Sequence, residues 1–343
     1  MTHRAVALFS GGLDSTLAIL TVLRQGIEVK ALKFLTQFGC EAPACSKNIF
    51  SVAERFGFEV KIVNLSDKFL GIVKNPKFGY GRNVNPCIDC RILMLKEAKV
   101  FMNMIVADFI ITGEVLGQRP MSQRKDTFYL IDKEAGVTDY VLRPLSAKLL
   151  KVTAPEARGI ISRDTLYDLR GRSRKPQIAL AREFGLAGYP APAGGCLLTE
   201  PNYAHRLKDL LTYNPDPDFK DLNLLKIGRH FRFSPSCKII VGRNRTENET
   251  IKSLSDNGDY LLKVEGYGSP TTLVAGEVTN ETLRVAASIC VRCSDAKNLS
   301  DVEVAVFKGG SSFRLKIQPA NTDLLENYRI EKKSNRVTCI AKI

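Results

Sequence analysis

The chain opens on a short apolar run, Ala5-Val6-Ala7-Leu8-Phe9, halts at two glycines, and resumes from Asp14 to Leu23 with apolar residues at helical spacing. The first run predicts a buried strand and the second a helix. The alternation continues with strands at Val29 to Thr36, Val60 to Leu65 and Phe109 to Thr112, and helices from about Ser46 to Phe56 and Asp89 to Val106. Such alternation needs right-handed crossovers, which predicts an α/β fold: a mostly parallel sheet with helices on both faces. Ligands of these sheets bind beyond the carboxyl ends of the strands, so the loops after Phe9, Thr36 and Thr112 should converge. Later, Thr153-Ala-Pro-Glu156 has the form of a capping box, and Pro201 starts a helix carrying Tyr203 to Leu211. Thr212 to Asp221 is polar with two prolines and reads as a linker, 212–225, between a first domain, 1–211, and a smaller α+β domain, 226–343. In the latter, Phe231-Arg-Phe and Lys238-Ile-Ile-Val241 predict a hairpin. A helix follows from about Thr246, and Val302 to Phe307 alternates as a half-buried strand.

Composition adds a partner and a compartment. At 343 residues the chain is long for one core. No apolar stretch approaches the roughly 20 residues that span a bilayer, and no signal-peptide pattern is present, so a cytoplasmic location is expected. The nine cysteines are then thiols, metal ligands or redox groups rather than structural disulfides. A net charge of +14 calls for a polyanionic partner, and residues 141 to 182 carry half of it, with ten Lys or Arg against three acids. Arg172, Arg174 and Lys175 lie in its densest part, where phosphate-backbone contact competes with a plain solvated face.

The chemistry sits at the predicted loops. Ser10-Gly11-Gly12-Leu13-Asp14-Ser15 follows the first strand directly and opens the first helix, whose free N–H groups face an anion; no P-loop lysine is present. Cys87 and Cys90 stand at the mouth of the long helix, where thiolates are favoured, and Cys196 follows two glycines far downstream. Three thiols suit a four-iron cluster with one open iron, a three-cysteine zinc site, or simply unrelated buried positions. Cys40 and Cys45 show no supporting motif, and Cys290 and Cys293 read as a packed helix.

The Ser10–Ser15 loop, Asn85-Pro-Cys87-Ile-Asp-Cys90-Arg, Thr112 to Gln123 and Arg143-Pro-Leu-Ser-Ala-Lys148 together resemble the PP-loop ATPases that thiolate tRNA. They are similar to the 4-thiouridine synthases, matched at Gly113 to Gln118 and Ser122-Gln123, and to the 2-thiouridylases, matched at Asn85 to Cys90. The resemblance implies ATP and Mg²⁺ at Ser10, Gly11, Gly12, Asp14, Ser15, Gly113 and Gln118. It also implies sulfur chemistry at Cys90 and Cys196, and a [4Fe-4S] cluster on Cys87, Cys90 and Cys196, with zinc as the lesser choice. The implied activity is adenylation of a uridine carbonyl oxygen, Asp14 assisting, then displacement of AMP by sulfur, with 4-thiouridine preferred over 2-thiouridine. Alternatives are another PP-loop ligase or an RNA-binding factor with a vestigial ATPase domain. Neither a THUMP nor a rhodanese region is recognised, so the expected donor is sulfide or a separate carrier.

Ile240-Val-Gly-Arg243-Asn244 with Asn248 and Gly268-Ser269 resembles the NFACT-R domain, which implies RNA binding over about residues 226 to 310. The candidate RNA contacts are Arg119, Arg124, Arg172, Arg174, Lys175, Arg229, Arg232 and Arg243; for Arg119, as for Glu114 and Gln118 after the fourth strand, contact with nucleotide or target base competes. For Asn244 and Asn248, helix capping competes with RNA contact.

Overall fold

The computed structural model describes residues 3–39, 43–186, 188–189 and 196–331, with the backbone alone for 43–49. The chain divides into two compact units, Met1–Thr199 and Glu200–Ile343.

The first unit runs β1 (Arg4–Leu8), α1 (Leu13–Leu23), β2 (Glu28–Leu35), α2 (Pro43–Phe56), β3 (Glu59–Asn64), α3 (Ser66–Lys74), α4 (Cys87–Met104), β4 (Phe109–Thr112), α5 (Lys125–Glu134), β5 (Val141–Leu142), α6 (Ala154–Ala157) and α7 (Lys175–Glu183). Its five strands are all parallel, in the order β3-β2-β1-β4-β5. Successive residues of a strand face opposite sides, and β1 serves both. Ala5 and Ala7 pack with α1 and α7, while Val6 and Leu8 pack with α4 and α5. The chain leaves β1 toward β2 on one side and returns to β4 on the other. The switch point therefore falls between β1 and β4, where such sheets open a crevice.

The second unit runs α8 (Pro201–Tyr213), α9 (Phe219–Leu224), β6 (Arg229–Ser234), β7 (Cys237–Val241), α10 (Arg245–Leu254), β8 (Tyr260–Val264), β9 (Thr272–Gly276), α11 (Asn280–Arg292), β10 (Val302–Lys308), β11 (Ser311–Ile317) and α12 (Thr322–Tyr328). Its six-stranded sheet is antiparallel, in the order β11-β10-β8-β9-β7-β6. α11 covers one face through Leu283, Ala286, Ala287 and Cys290, the last fully buried, which makes this cysteine a core residue.

The division at Thr199 lies twelve residues before the boundary expected from sequence, which ended the first domain at 211. α8 packs with the second unit because its buried Arg206 donates to Glu331 at 2.6 Å and to the Leu225 carbonyl at 2.8 Å. The expected linker likewise contains a helix. Asp218 accepts from the Asp221 N–H at 2.7 Å to start α9, and Leu222 and Leu224 are buried.

Candidate active site

The Ser10–Ser15 loop, the candidate phosphate site, is built from the end of β1. Gly11 has φ of 80°, a left-handed turn open to glycine, and Gly12 becomes the N-cap of α1 without any side-chain cap. The first N–H groups of α1 are thus left for a ligand, the usual anion site of a helix amino end. Ser10 and Ser15 hydroxyls meet at 3.0 Å and Ser15 donates to the Gly12 carbonyl at 2.9 Å, which fixes the loop. Lys33 of β2 donates to the Ser10 carbonyl at 3.0 Å, placing an ammonium at the rim that no sequence motif marked.

Gly113, the first residue after β4, is required by close approach. A Cβ there would stand 2.5 Å from both Ser15 N and Ser15 Cα and 2.6 Å from Asp14 C. Gln118 donates to Asp14 Oδ2 at 3.0 Å, so the loops after β1 and β4 meet as expected. The other oxygen, Asp14 Oδ1, is buried with no hydrogen-bond partner in the protein. An orphaned carboxylate oxygen beside an anion-binding loop fits a hard divalent cation such as Mg²⁺.

Behind the loop lies a buried charge network. Glu114 accepts from Thr112 at 3.1 Å and from Arg143 at 3.2 Å, and pairs with Arg91 at 3.4 Å. Arg143 also grips Asp132 through two bonds of 2.9 and 2.8 Å. Burial alone would lower Arg143, but Asp132 and Glu114 outweigh it and hold it charged. Arg143 is therefore committed inside the protein. In the same basic stretch, Arg163 pairs with Glu156 at 2.6 Å, and Lys148 donates to the Asp164 carbonyl at 2.8 Å. Arg172 and Lys175 are exposed, and Arg174 is half-buried.

Cys87 begins α4, and Cys90 lies one turn on, its N–H bonded to the Pro86 carbonyl at 2.9 Å. Cys196 is brought in by stitching. Its thiol and the Leu197 N–H both reach the Phe38 carbonyl, Val84 N donates to Leu198 O at 3.2 Å, and Asn83 donates to Thr199 O at 2.7 Å. All three thiols are free. The helix amino end was expected to lower the α4 thiols. Burial wins instead: Cys90 is pushed up to about 12, with Arg91 opposing and Cys196 and Cys87 reinforcing. Cys87 and Cys196 are also raised, again chiefly by burial. Among the described residues no group of three His, Cys, Asp or Glu is arranged to hold a single metal ion. Three free, half-buried cysteines supply the sulfur donors that, once deprotonated, a [4Fe-4S] cluster or a zinc ion takes. Cys40, the Cys45 side chain and the two glycines before Cys196 lie outside the described residues.

In the second unit the residues expected to touch RNA are largely structural. Arg243 donates to Glu247 at 3.0 and 3.1 Å, and Arg232 donates to Asp209 through two bonds. Asn244 caps α10 by accepting from Glu247 N at 2.9 Å, and Asn248 accepts from Thr271 N at 2.9 Å. Gly242 makes room for that amide, since a Cβ there would lie only 2.1 Å from Asn248 Oδ1. Arg229 is half-buried, and Arg124 of the first unit is exposed beside Asp126 at 3.2 Å. An open depression of about 720 Å³ is lined by Lys263, Glu265, Tyr267, Phe307 and Arg314. Tyr267 is 50 % and Phe307 45 % exposed, an aromatic and basic surface that the sequence motifs did not indicate.

No helix among the described residues is long and apolar enough to cross a membrane. Residues 1–151 match the family of the thiamine biosynthesis protein (ThiI), and residues 228–329 match the NFACT protein RNA binding domain. The tRNA-specific 2-thiouridylase MnmA of Natranaerobius thermophilus is 26 % identical over 251 residues, covering 67 % of this chain and 65 % of that protein. The chain thus spans a little under two thirds of that relative. Among solved structures, a 4-thiouridine synthetase in complex with RNA and ATP is 21 % identical with a TM-score of 0.35, covering 54 % of this chain and 52 % of that one. The U34-tRNA thiolase NcsA of Methanococcus maripaludis, with its [4Fe-4S] cluster, is 16 % identical with a TM-score of 0.34, covering 66 % and 71 %. Residues 1–151 are thus similar to the ThiI family over a parallel five-stranded sheet, and residues 228–329 are similar to the NFACT RNA binding domain over an antiparallel six-stranded one.

Proposed function

We propose that the protein is an ATP-dependent tRNA uridine sulfurtransferase, acting at the 4-carbonyl in preference to the 2-carbonyl. The observation that carries this reading is the turn after β4, which joins two devices: Gln118 bonds Asp14 at the uncapped α1 amino end, and Met121 lies with the free Cys87 thiol about Gly81. The amino end of α1 and the Gly11-Gly12 turn bind the pyrophosphate portion of ATP. Mg²⁺ held by Asp14 would neutralise phosphate charge. The uridine oxygen attacks the α-phosphorus as N3 gives up its proton, and pyrophosphate departs. Sulfide, from solution or a separate carrier, then attacks the activated carbon; the C–O bond breaks, AMP leaves with the oxygen, and the sulfur's proton returns to N3. Cys87, Cys90 and Cys196 would hold a [4Fe-4S] cluster, which supplies an open iron to present that sulfide.

The second unit supplies tRNA affinity, and the depression between Tyr267 and Phe307 suits unpaired bases, which stack on aromatics beside Lys263 and Arg314. The test is mass spectrometry of tRNA nucleosides from a strain lacking the protein, complemented with wild type or Asp14→Ala. The expected result is a thiouridine restored by wild type alone. Restoration by Asp14→Ala would contradict the reading.

A further inference from the structure

The turn that follows β4 carries a cation, Arg119, with no hydrogen-bond or ion-pair partner among the described residues. It is tightly fixed: Gly117 N donates to Gln123 O at 2.6 Å, Gln118 N to Val115 O at 3.1 Å, and Gln123 N to Arg119 O at 3.2 Å. One end of the turn touches the nucleotide side, because Gln118 donates to Asp14 at 3.0 Å. The other end touches the sulfur side. A Cβ on Gly81 would lie 2.7 Å from Met121 Sδ and 3.5 Å from Cys87 Sγ, so Met121 and Cys87 flank the same point. Arg119 stands between these ends.

Three other cations of the crevice are engaged. Arg91 pairs with Glu114, Arg143 with Asp132 and Glu114, and Lys33 donates to Ser10 O. The Arg119 guanidinium makes no hydrogen bond or ion pair to any described residue. The residue is exposed, and its guanidinium is lowered chiefly by desolvation and then by Arg91, with Glu114, Cys87 and Asp14 acting in the opposite sense. Arg119 also acts on the Cys90 and Cys196 thiols, so one guanidinium is within electrostatic reach of both the phosphate loop and the sulfur ligands.

We propose that Arg119 binds the α-phosphate of ATP, and then that of the uridine adenylate, between the phosphate loop and the thiols, and that it is not a contact to the tRNA backbone. The inference rests on the ATP reading above. In that reaction the α-phosphate is the group common to both steps: it accepts the uridine oxygen as pyrophosphate departs, and it leaves as AMP when sulfide attacks carbon. With pyrophosphate on the α1 amino end, the α-phosphate is the next group toward the thiols, which is where Arg119 lies. A planar, permanently charged fork matches two phosphate oxygens at once and keeps its charge through both steps. Held on a rigid turn, it needs no rearrangement as charge moves from the bridging oxygen to the departing group.

The test uses the full-length protein, with Arg119→Gln and Arg119→Lys beside wild type and tRNA from a strain lacking the protein. Pyrophosphate release is followed in a single turnover at saturating tRNA and ATP, and tRNA affinity is measured across a salt series. The expected result is a saturated rate lowered about 10²- to 10³-fold in Arg119→Gln, as for loss of one preorganised donor, and partly kept in Arg119→Lys. Affinity for tRNA and its salt slope should stay at wild-type values. A wild-type saturated rate in Arg119→Gln overturns the inference. If that rate comes with weaker binding and a salt slope reduced by about 0.7 to 0.9, Arg119 is an RNA phosphate contact instead. Absence of pyrophosphate from wild type itself overturns the ATP reading, and this inference with it.

Discussion

Gly113→Ala is the sharpest perturbation of the crevice, because the added methyl meets backbone and not a movable side chain. Its Cβ would lie 2.5 Å from Ser15 N and Cα, where ordinary contacts begin at 3.4 Å. The phosphate loop or the turn after β4 must therefore retreat by about 1 Å, a misplacement of the size that costs on the order of 10²-fold in rate. Forcing volume into a packed site should also lower stability by about 1–3 kcal/mol. The assay is single-turnover pyrophosphate release at saturating ATP and tRNA, alongside urea unfolding. Gly71→Ala is the control, since a Cβ in α3 at that position meets nothing within 4 Å and should stabilise by roughly 0.5–1 kcal/mol with no change in rate. A Gly113→Ala protein with wild-type rate and stability would refute the claim that the β1 and β4 loops are in contact as a unit.

Anaerobically purified protein should contain about four irons per chain, and Cys→Ala at 87, 90 or 196 should remove both the iron and the activity. Stoichiometric zinc, no iron and full activity would contradict that assignment. Tyr267→Ala and Phe307→Ala should each weaken tRNA binding by about 1–3 kcal/mol if bases stack there. Unchanged affinity in filter binding would move recognition elsewhere. Lys238 on β7 is lowered to about 8, mainly by burial, with Asp209 opposing. Its unfolded value lies above its folded one, so the unfolded chain binds more protons between them and stability rises with pH across that window. Urea unfolding of wild type against Lys238→Met should show wild type gaining, by at most about 1.4 kcal/mol per pH unit, from pH 8 to 10. Parallel curves would refute it.

The sequence made the first unit's framework readable where burial follows a simple period. Ala5 to Phe9 alternates between two faces that both turned out to be buried, and the capping box at Thr153 forms, with Glu156 accepting from Thr153 N at 2.8 Å. β5 escaped notice because two residues carry no period, and α7 because its lysines and arginines read as a basic run. Among site residues, Asp14 and Gln118 were legible through their motif. The reason for Gly113 was not, since a steric contact with a loop a hundred residues earlier leaves no local trace. Arg143 looked like part of an RNA-binding stretch because its partners, Asp132 and Glu114, are distant in sequence. Arg243 is different: Glu247 stands four residues on, and that spacing alone could have indicated an internal pair.

The central claim is that ATP cleavage between the α and β phosphates drives replacement of a uridine oxygen by sulfur. The direct measurement incubates full-length protein with ATP, Mg²⁺, sulfide and tRNA lacking the modification, and counts thiouridine, AMP and pyrophosphate together. All three should appear in equal amounts, and none should form without tRNA. Formation of ADP and phosphate, or of AMP with no thiouridine, would contradict it.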